Sequence, residues 1–210
     1  MSGALQPERG HAVRDQEPSS GRRSESRVRI KLAARSLFVT RGYHDTRPQD
    51  IARAAGLGHG TFYLHYADKR ACFLDFVEEA REELDVYLRL RRVPGASLEE
   101  RIGAAIAAIL DYSESHPGVL RAALTDESII DAEGVQAVPL LMRGGGEWAE
   151  MLRDTAAAGV TCESYDAAII GQAIVGAIHQ VSRAGARGQI RREALVENLT
   201  RFLTRALKPD

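Results

Sequence analysis

Apolar residues recur at helical spacing along most of the chain. The first sustained pattern begins at Ser24, where Val28, Leu32, Ala33, Leu37 and Phe38 form the stripe of an amphipathic helix. Gly42 ends it. Thr46-Arg47-Pro48-Gln49 then predicts the start of a second helix. Thr46 is a cap candidate, Gln49 stands where a capping box needs it, and Pro48 fits a first turn whose N–H would have no partner. Ile51, Ala52 and Ala55 supply its inner face, and Gly56 stops it. After a short turn, a third helix carries Phe62 and Tyr66 on one face, predicted to pack on Ile51, Leu37 and Phe38. Asp68 is placed to cap a long helix running to about Arg92, which Pro94-Gly95 breaks. Further helices are predicted at about 97–115, 118–130, 137–158, 163–185 and 191–207. The breakers between most of them are His116-Pro117-Gly118, Glu133-Gly134, Gly159 and the stretch from Gly185 to Gly188. Strand-type alternation is nearly absent, so the expected fold is all-α, with about nine helices. Gly144-Gly145-Gly146 falls inside the 137–158 pattern. Each glycine costs roughly 1 kcal/mol in a helix interior, so either that helix is kinked or split, or another backbone packs closely against it.

Residues 1–23 are rich in Gly, Pro, Ser, Glu and Arg and carry no such pattern. They read as a disordered tail. The organisation expected is therefore a tail (1–23), a helix-turn-helix head (24–70) and a helical body (71–210). At 210 residues, with 44% apolar and 27% charged content, the chain can bury a sizeable core. No apolar run reaches the length of a membrane span. The most apolar stretch, Tyr165–Val181, contains Asp166, Gln172 and His179. The first residues lack the apolar segment of a secretory signal. Cys72 and Cys162 offer neither a disulfide framework nor zinc spacing. A reduced, cytoplasmic protein without metal or cofactor is the expectation.

The net charge of −1 conceals a segregation. Arg22 to Arg70 hold 11 Lys and Arg against 4 Asp and Glu, whereas Ala71 to Asp210 hold 15 against 22. A basic front on an acidic body suggests that the front meets a polyanion. The local geometry agrees. In Ala52-x-x-x-Gly56 the small Ala lets two helices approach, and the Gly takes a turn conformation that a side chain resists. In such a helix-turn-helix the second helix enters the major groove. With Phe62 and Tyr66 turned inward, His59, Thr61, Tyr63 and His65 are left for its other faces. His59 and His65 do not have the i, i+4 spacing of a helical zinc pair. Arg22 and Arg23 are either part of a solvated tail or a basic arm for the minor groove.

The stretch RVRIKLAARSLFVTRGYHDTRPQDIARAAGLGHGTFYLHYADKRACFLDF, Arg27 to Phe76, resembles the tetracycline-repressor (TetR) family of bacterial transcriptional regulators. The family pattern F-x-x-x-G-Y/F is met by Phe38, Gly42 and Tyr43. T-x-x-x-I-A-x-x-A-G is met by Thr46, Ile51, Ala52, Ala55 and Gly56. G-T-x-Y-x-H/Y-F/Y-x-x-K is met by Gly60, Thr61, Tyr63, His65, Tyr66 and Lys69. The resemblance implies phosphate contacts from Thr46, Tyr63 and Lys69, and base-edge contacts from His59, Thr61 and His65. Gln49 sits where the family often reads a base, or else closes the capping box. Arg47 and Gly60 complete the contact set. The sequence departs from the pattern at Gly58, in place of a Ser or Thr cap, and at His59, where Lys is common.

The same resemblance implies a body that holds a dimer interface and an effector pocket. The small residues Ala167, Ala168, Gly171, Ala173, Gly176 and Ala177, with Leu195, Leu199, Phe202, Leu203 and Ala206, mark helices 163–185 and 191–207 as the homodimer interface. Intrachain core is the simpler reading of the same residues. Candidate pocket residues are Leu120, Leu124, Trp148, Leu152, Gln172 and His179, which suit a small, mostly apolar effector. The function implied is a homodimeric regulator, a repressor, released by effector from a palindromic double-stranded operator. Two alternatives stand beside it. One is a DNA-binding regulator whose pocket is filled by side chains. The other is a helical enzyme built on Asp111, Glu114 and His116, for which no nucleophile or cofactor motif is present.

Overall fold

In a computed structural model, residues 20–124, 140–162, 164–186, 188 and 190–208 are described, and among them the chain is helical without a strand. Helix α1 (Ser20–Arg41) buries Ile30, Ala33, Ala34, Leu37 and Phe38. This corrects the phase of the predicted stripe, because Val28 is 53% and Leu32 65% exposed. Either register satisfies helical spacing. The chosen one puts small Ala33 and Ala34 inward, where neighbouring helices must come close. The helix opens at Ser20, so residues 20–23 are helical and not tail. The rest of the predicted tail lies outside the described residues.

Helix α2 (Pro48–Ala54) starts with proline in its first turn, as its sequence predicts, but the capping box does not form. Its N-cap is Arg47, which makes no side-chain capping bond. The Thr46 hydroxyl instead donates back to the Gly42 carbonyl at 2.7 Å, and Gln49 stays exposed. The helix ends in a Schellman arrangement: Gly56, at φ +66°, donates to the Arg53 carbonyl, and Leu57 donates to that of Ala52. Helix α3 (His59–Tyr63) follows and turns Phe62 fully inward. Phe62, Tyr66, Ile51, Leu37 and Phe38 belong to one buried cluster, which the first helix of the body completes with Phe73 and Phe76.

That helix, α4 (Lys69–Leu90), is capped by Asp68, whose carboxylate accepts from the Ala71 N–H at 2.7 Å. A ladder of charges locks it to α1. Arg27 faces Asp75, Lys31 faces Asp75 and Glu79, and Arg35 faces Glu79 and Glu83. Both partners advance by one helical turn per step, so the ladder fixes register.

The body continues through α5 (Leu98–Ser115), α6 (Val119–Ala123), α7 (Leu140–Ala157), α8 (Ala167–Ala186) and α9 (Arg192–Ala206). Ser97 and Glu100 form a complete capping box at the start of α5. Beyond residue 124, the predicted 118–130 helix and the Glu133-Gly134 breaker lie outside the described residues. Ile102, Ile106 and Leu110 of α5 pack with Ile174 and Ile178 of α8 and with Leu195, Leu199 and Leu203 of α9. Helix α7 runs unbroken through Gly144-Gly145-Gly146. The reason is close packing: a Cβ on Gly171 of α8 would fall on the Gly145 carbonyl oxygen and stand 3.0 Å from the Ala149 nitrogen. Thus Gly171, one of the small residues assigned to the dimer face, serves the α7–α8 crossing within the chain.

Gly171→Ala is expected to lower unfolding free energy by about 1–3 kcal/mol, because the helices must separate. Gly146→Ala is expected to raise it by up to about 1 kcal/mol, since a Cβ there meets nothing within 4 Å. Urea denaturation of the two variants checks the contrast.

Candidate functional site

The α2–α3 unit offers a small exposed surface. Arg47 and Gln49 at the start of α2 and His59 and Gly60 at the start of α3 are exposed. Tyr63 is 51% exposed, and Thr61 is half-buried. Phe62 beneath them is fully buried, so α3 has one inner face, and of the residues read as outward-facing His59 and Tyr63 are exposed. The His59 and Tyr63 rings meet edge to face at 5.3 Å, one turn apart. Gly58 caps α3 with backbone only, as its lack of a side chain requires.

Three residues assigned to contacts are occupied differently. Thr46 is completely buried, and its hydroxyl is committed to Gly42, so it closes the loop before α2 and presents no group to a phosphate. Lys69 donates to the Tyr43 carbonyl at 2.8 Å and lies 4.1 Å above the Tyr43 ring. Burial pushes its ammonium below the usual lysine value, and it clamps the α1–α2 loop. His65 lies beyond the last residue of α3, with Nε2 2.7 Å from the Ser26 hydroxyl of α1. Its ring braces α3 against α1 instead of facing outward with His59. Burial, then the charges of Arg23 and Arg27, hold its imidazole below the usual histidine range.

Two positioning residues were not legible as such. Arg29 reaches the Gly56 carbonyl at 3.2 Å and so holds the turn of the helix-turn-helix, and Arg23 reaches the Leu64 carbonyl at 3.2 Å and holds the end of α3. In the sequence Arg29 is merely a member of a basic run, and Arg23 reads as solvated tail or a basic arm. Tyr66 is buried and donates its hydroxyl to Asp75, the same carboxylate that faces Arg27 and Lys31.

The body holds a half-open cavity of about 1220 Å³, walled by parts of α4 to α8. Of the residues proposed for it, Leu120, Leu124, Trp148 and His179 line it. Leu152 does not; it is 5% exposed and packs in the body core. Gln172 does not either. Its amide crosses to the Met142 carbonyl at 3.1 Å, over the Gly145 backbone. Leu84 and Leu88 of α4, Ile109 of α5 and Met151 of α7 complete the apolar wall. Only the three-dimensional crossing of α4 over α5 reveals them.

The groups considered for catalysis are structural ties. Asp111 holds Arg91 of the α4 end and Arg192 of α9, Glu114 takes the other arm of Arg192 at 2.6 Å, and His116 stacks on Tyr112. Burial and the nearby Asp75 charge push the Cys72 thiol up to about 12, which makes it inert. No described helix is long and apolar enough to cross a membrane.

With this geometry in place, the likenesses to known proteins have a definite meaning. Residues 30–76 match the family model described as bacterial regulatory proteins, tetR family. The chain is 33% identical over 76 residues to YdgC of Bacillus subtilis, an uncharacterized HTH-type transcriptional regulator, covering 36% of each chain. It is 29% identical over 92 residues to the HTH-type transcriptional activator FasR of Mycolicibacterium smegmatis, covering 44% of this chain and 42% of that one. The matches thus span well under half the length of these curated relatives. A tetR family transcription regulator of Shewanella sp. PV-4 shares the fold, with a TM-score of 0.71 and 21% identity over 87% of this chain and 98% of that one.

His65 is expected to titrate below about 6.5, the ordinary histidine value, in side-chain NMR, and Arg23→Gln should move it upward. A depressed histidine pKa leaves stability intact above the unfolded value and removes it as pH falls through the folded one. An unshifted His65 resonance would contradict the packing against α1.

Proposed function

We propose, for a chain whose head matches the model of bacterial regulatory proteins, tetR family, over residues 30–76, a homodimeric regulator, acting as a repressor, that a small effector releases from a palindromic operator. The carrying observation is the exposed Gln49, His59 and Tyr63 surface on a helix-turn-helix whose inner residues are buried, in the basic part of an acidic chain. Tyr63 reaches phosphate, which positions the head, and His59, Thr61 and Gln49 read base edges. The reading puts the protein in the cytoplasm, with its operator.

Two further features support the dimer and the effector. Helix α8 leaves Ile169 68% exposed, with Ala173 and Gly176 beside it, and α9 leaves Phe202 64% exposed. These faces pair with their copies across a two-fold axis, which sets two heads on one side of the duplex. Helix α4 is held to α1 near its start and lines the cavity with Leu84 and Leu88 near its end. An effector that favours a different α4 position shifts the population towards wrongly spaced heads.

Anisotropy titrations on the operator that the protein selects should separate the roles. Tyr63→Phe is expected to weaken binding to every sequence by about 1 kcal/mol. His59→Ala should relax preference at one position per half-site by about 1–3 kcal/mol. Unchanged binding in both variants sinks the interface. Phe202→Glu is expected to sediment as a monomer and to lose operator binding; a Phe202→Glu dimer would overturn the α8–α9 assignment.

A further inference from the structure

The cavity wall is mostly apolar, and its polar chemistry gathers at one register of α8. His179, Ser182 and Arg183 stand at i, i+3 and i+4, share a helix face, and all line the cavity. The Ser182 hydroxyl is buried and has no hydrogen-bond partner among the described residues. A buried hydroxyl without a partner costs free energy that a ligand oxygen would return once the Ser182 side chain, whose oxygen is covered in this state, turns to the lumen.

The charges on the wall are not equivalent. Arg81 is committed to Glu78 and Asp85, Arg91 to Asp111, and Arg143 to Glu78. Arg183, exposed at the rim, makes no ion pair among the described residues. Burial and Arg183 together hold His179 below the usual histidine range, and no described carboxylate offsets them. The acidic side is the competitor. Glu147 lies beside Trp148 on α7, is accessible from the lumen, and has its carboxyl pushed up by enclosure and by Asp85. Arg81 and Arg92 act on it in the opposite sense, so its charge is already partly answered. Arg92 and Arg101 also line the cavity without an ion pair among the described residues, but the α8 corner joins its cation to a histidine and to a buried, unpartnered hydroxyl.

We infer that the effector is an amphipathic anion. Its apolar chain lies against Leu84, Leu120 and Trp148, and a carboxylate-type oxygen accepts from His179, Ser182 and Arg183. This rests on the reading of the cavity as the effector site. It goes further by fixing the ligand's charge and the end of the cavity that holds it.

Trp148 is the chain's single tryptophan and lies on the wall, so its emission reports occupancy. The purified full-length protein is titrated with decanoate, decanol and decylamine, each below its micelle-forming concentration. Decanoate is expected to saturate the emission change and to bind about tenfold or more tighter than decanol. Ser182→Ala and Arg183→Gln should each lose about tenfold for decanoate and leave decanol unchanged. Ser182→Ala should also leave the Tm of the free protein unchanged or raise it, since it removes an unpartnered hydroxyl. Equal affinity for decanoate and decanol overturns the anion assignment and leaves the cavity reading standing. So does decylamine binding tightest and being lost in Glu147→Gln. No emission change with any probe overturns the cavity reading, and the assignment with it.

Discussion

Glu83 is where head and body share one charge. Its two carboxylate oxygens each accept from Arg35 of α1 at 2.8 Å, and one also accepts from the Tyr112 hydroxyl of α5 at 2.8 Å. Burial alone would raise the carboxyl, but the bonds from Arg35 and Tyr112 and the Arg35 charge outweigh it and hold it below the usual range. The Tyr112 ring is fully buried, and burial with Glu83 nearby keeps its phenol protonated. Removal of Glu83 would strand a guanidinium and a buried hydroxyl on two different helices. The outer rungs of the α1–α4 ladder are half-exposed, and such pairs contribute little stability each. Their value is register: every rung specifies the same alignment of the reading head on α4.

A second knot repeats the arrangement lower down. Asp111 of α5 gathers Arg91 from the end of α4 and Arg192 from the start of α9. Helix α4 is therefore tied to α1 by one set of charges and to α5 and α9 by others, with the cavity beside it. Within the head, the side chains that hold it together and those left exposed are different residues. Thr46, His65, Lys69, Arg23 and Arg29 hold loops and helix ends. Gln49, His59 and Tyr63 are left to the solvent.

Much of this is legible in the sequence where a local rule decides. The Asp68 cap, the Gly56 turn and the buried pair Phe62 and Tyr66 each depend on neighbours a few residues away. The misreadings arise where distant chain supplies a better partner. Thr46 heads a plausible capping box, yet a carbonyl across the loop claims its hydroxyl. Lys69 and His65 look free by spacing, but Tyr43 and Ser26, on or beside α1, hold them. Val28 and Leu32 satisfy the helical period as well as Ile30 and Ala34 do, and only the shape of the neighbours selects the phase. Small residues announce a close approach without saying to what, and Gly171 of α8 turns out to pack against α7 within the chain. Pocket walls are the least legible, because Leu152 and Met151 are adjacent in sequence and pack in the same cluster, yet only Met151 reaches the cavity.

The proposed function requires two such heads to read one duplex together. The most direct test is selection of double-stranded DNA from a random pool by the purified full-length protein. The expected result is an inverted repeat whose half-sites lie about one helical turn, or a multiple of it, apart. A pool with no enriched sequence, or an enriched single site without two-fold symmetry, would contradict the account.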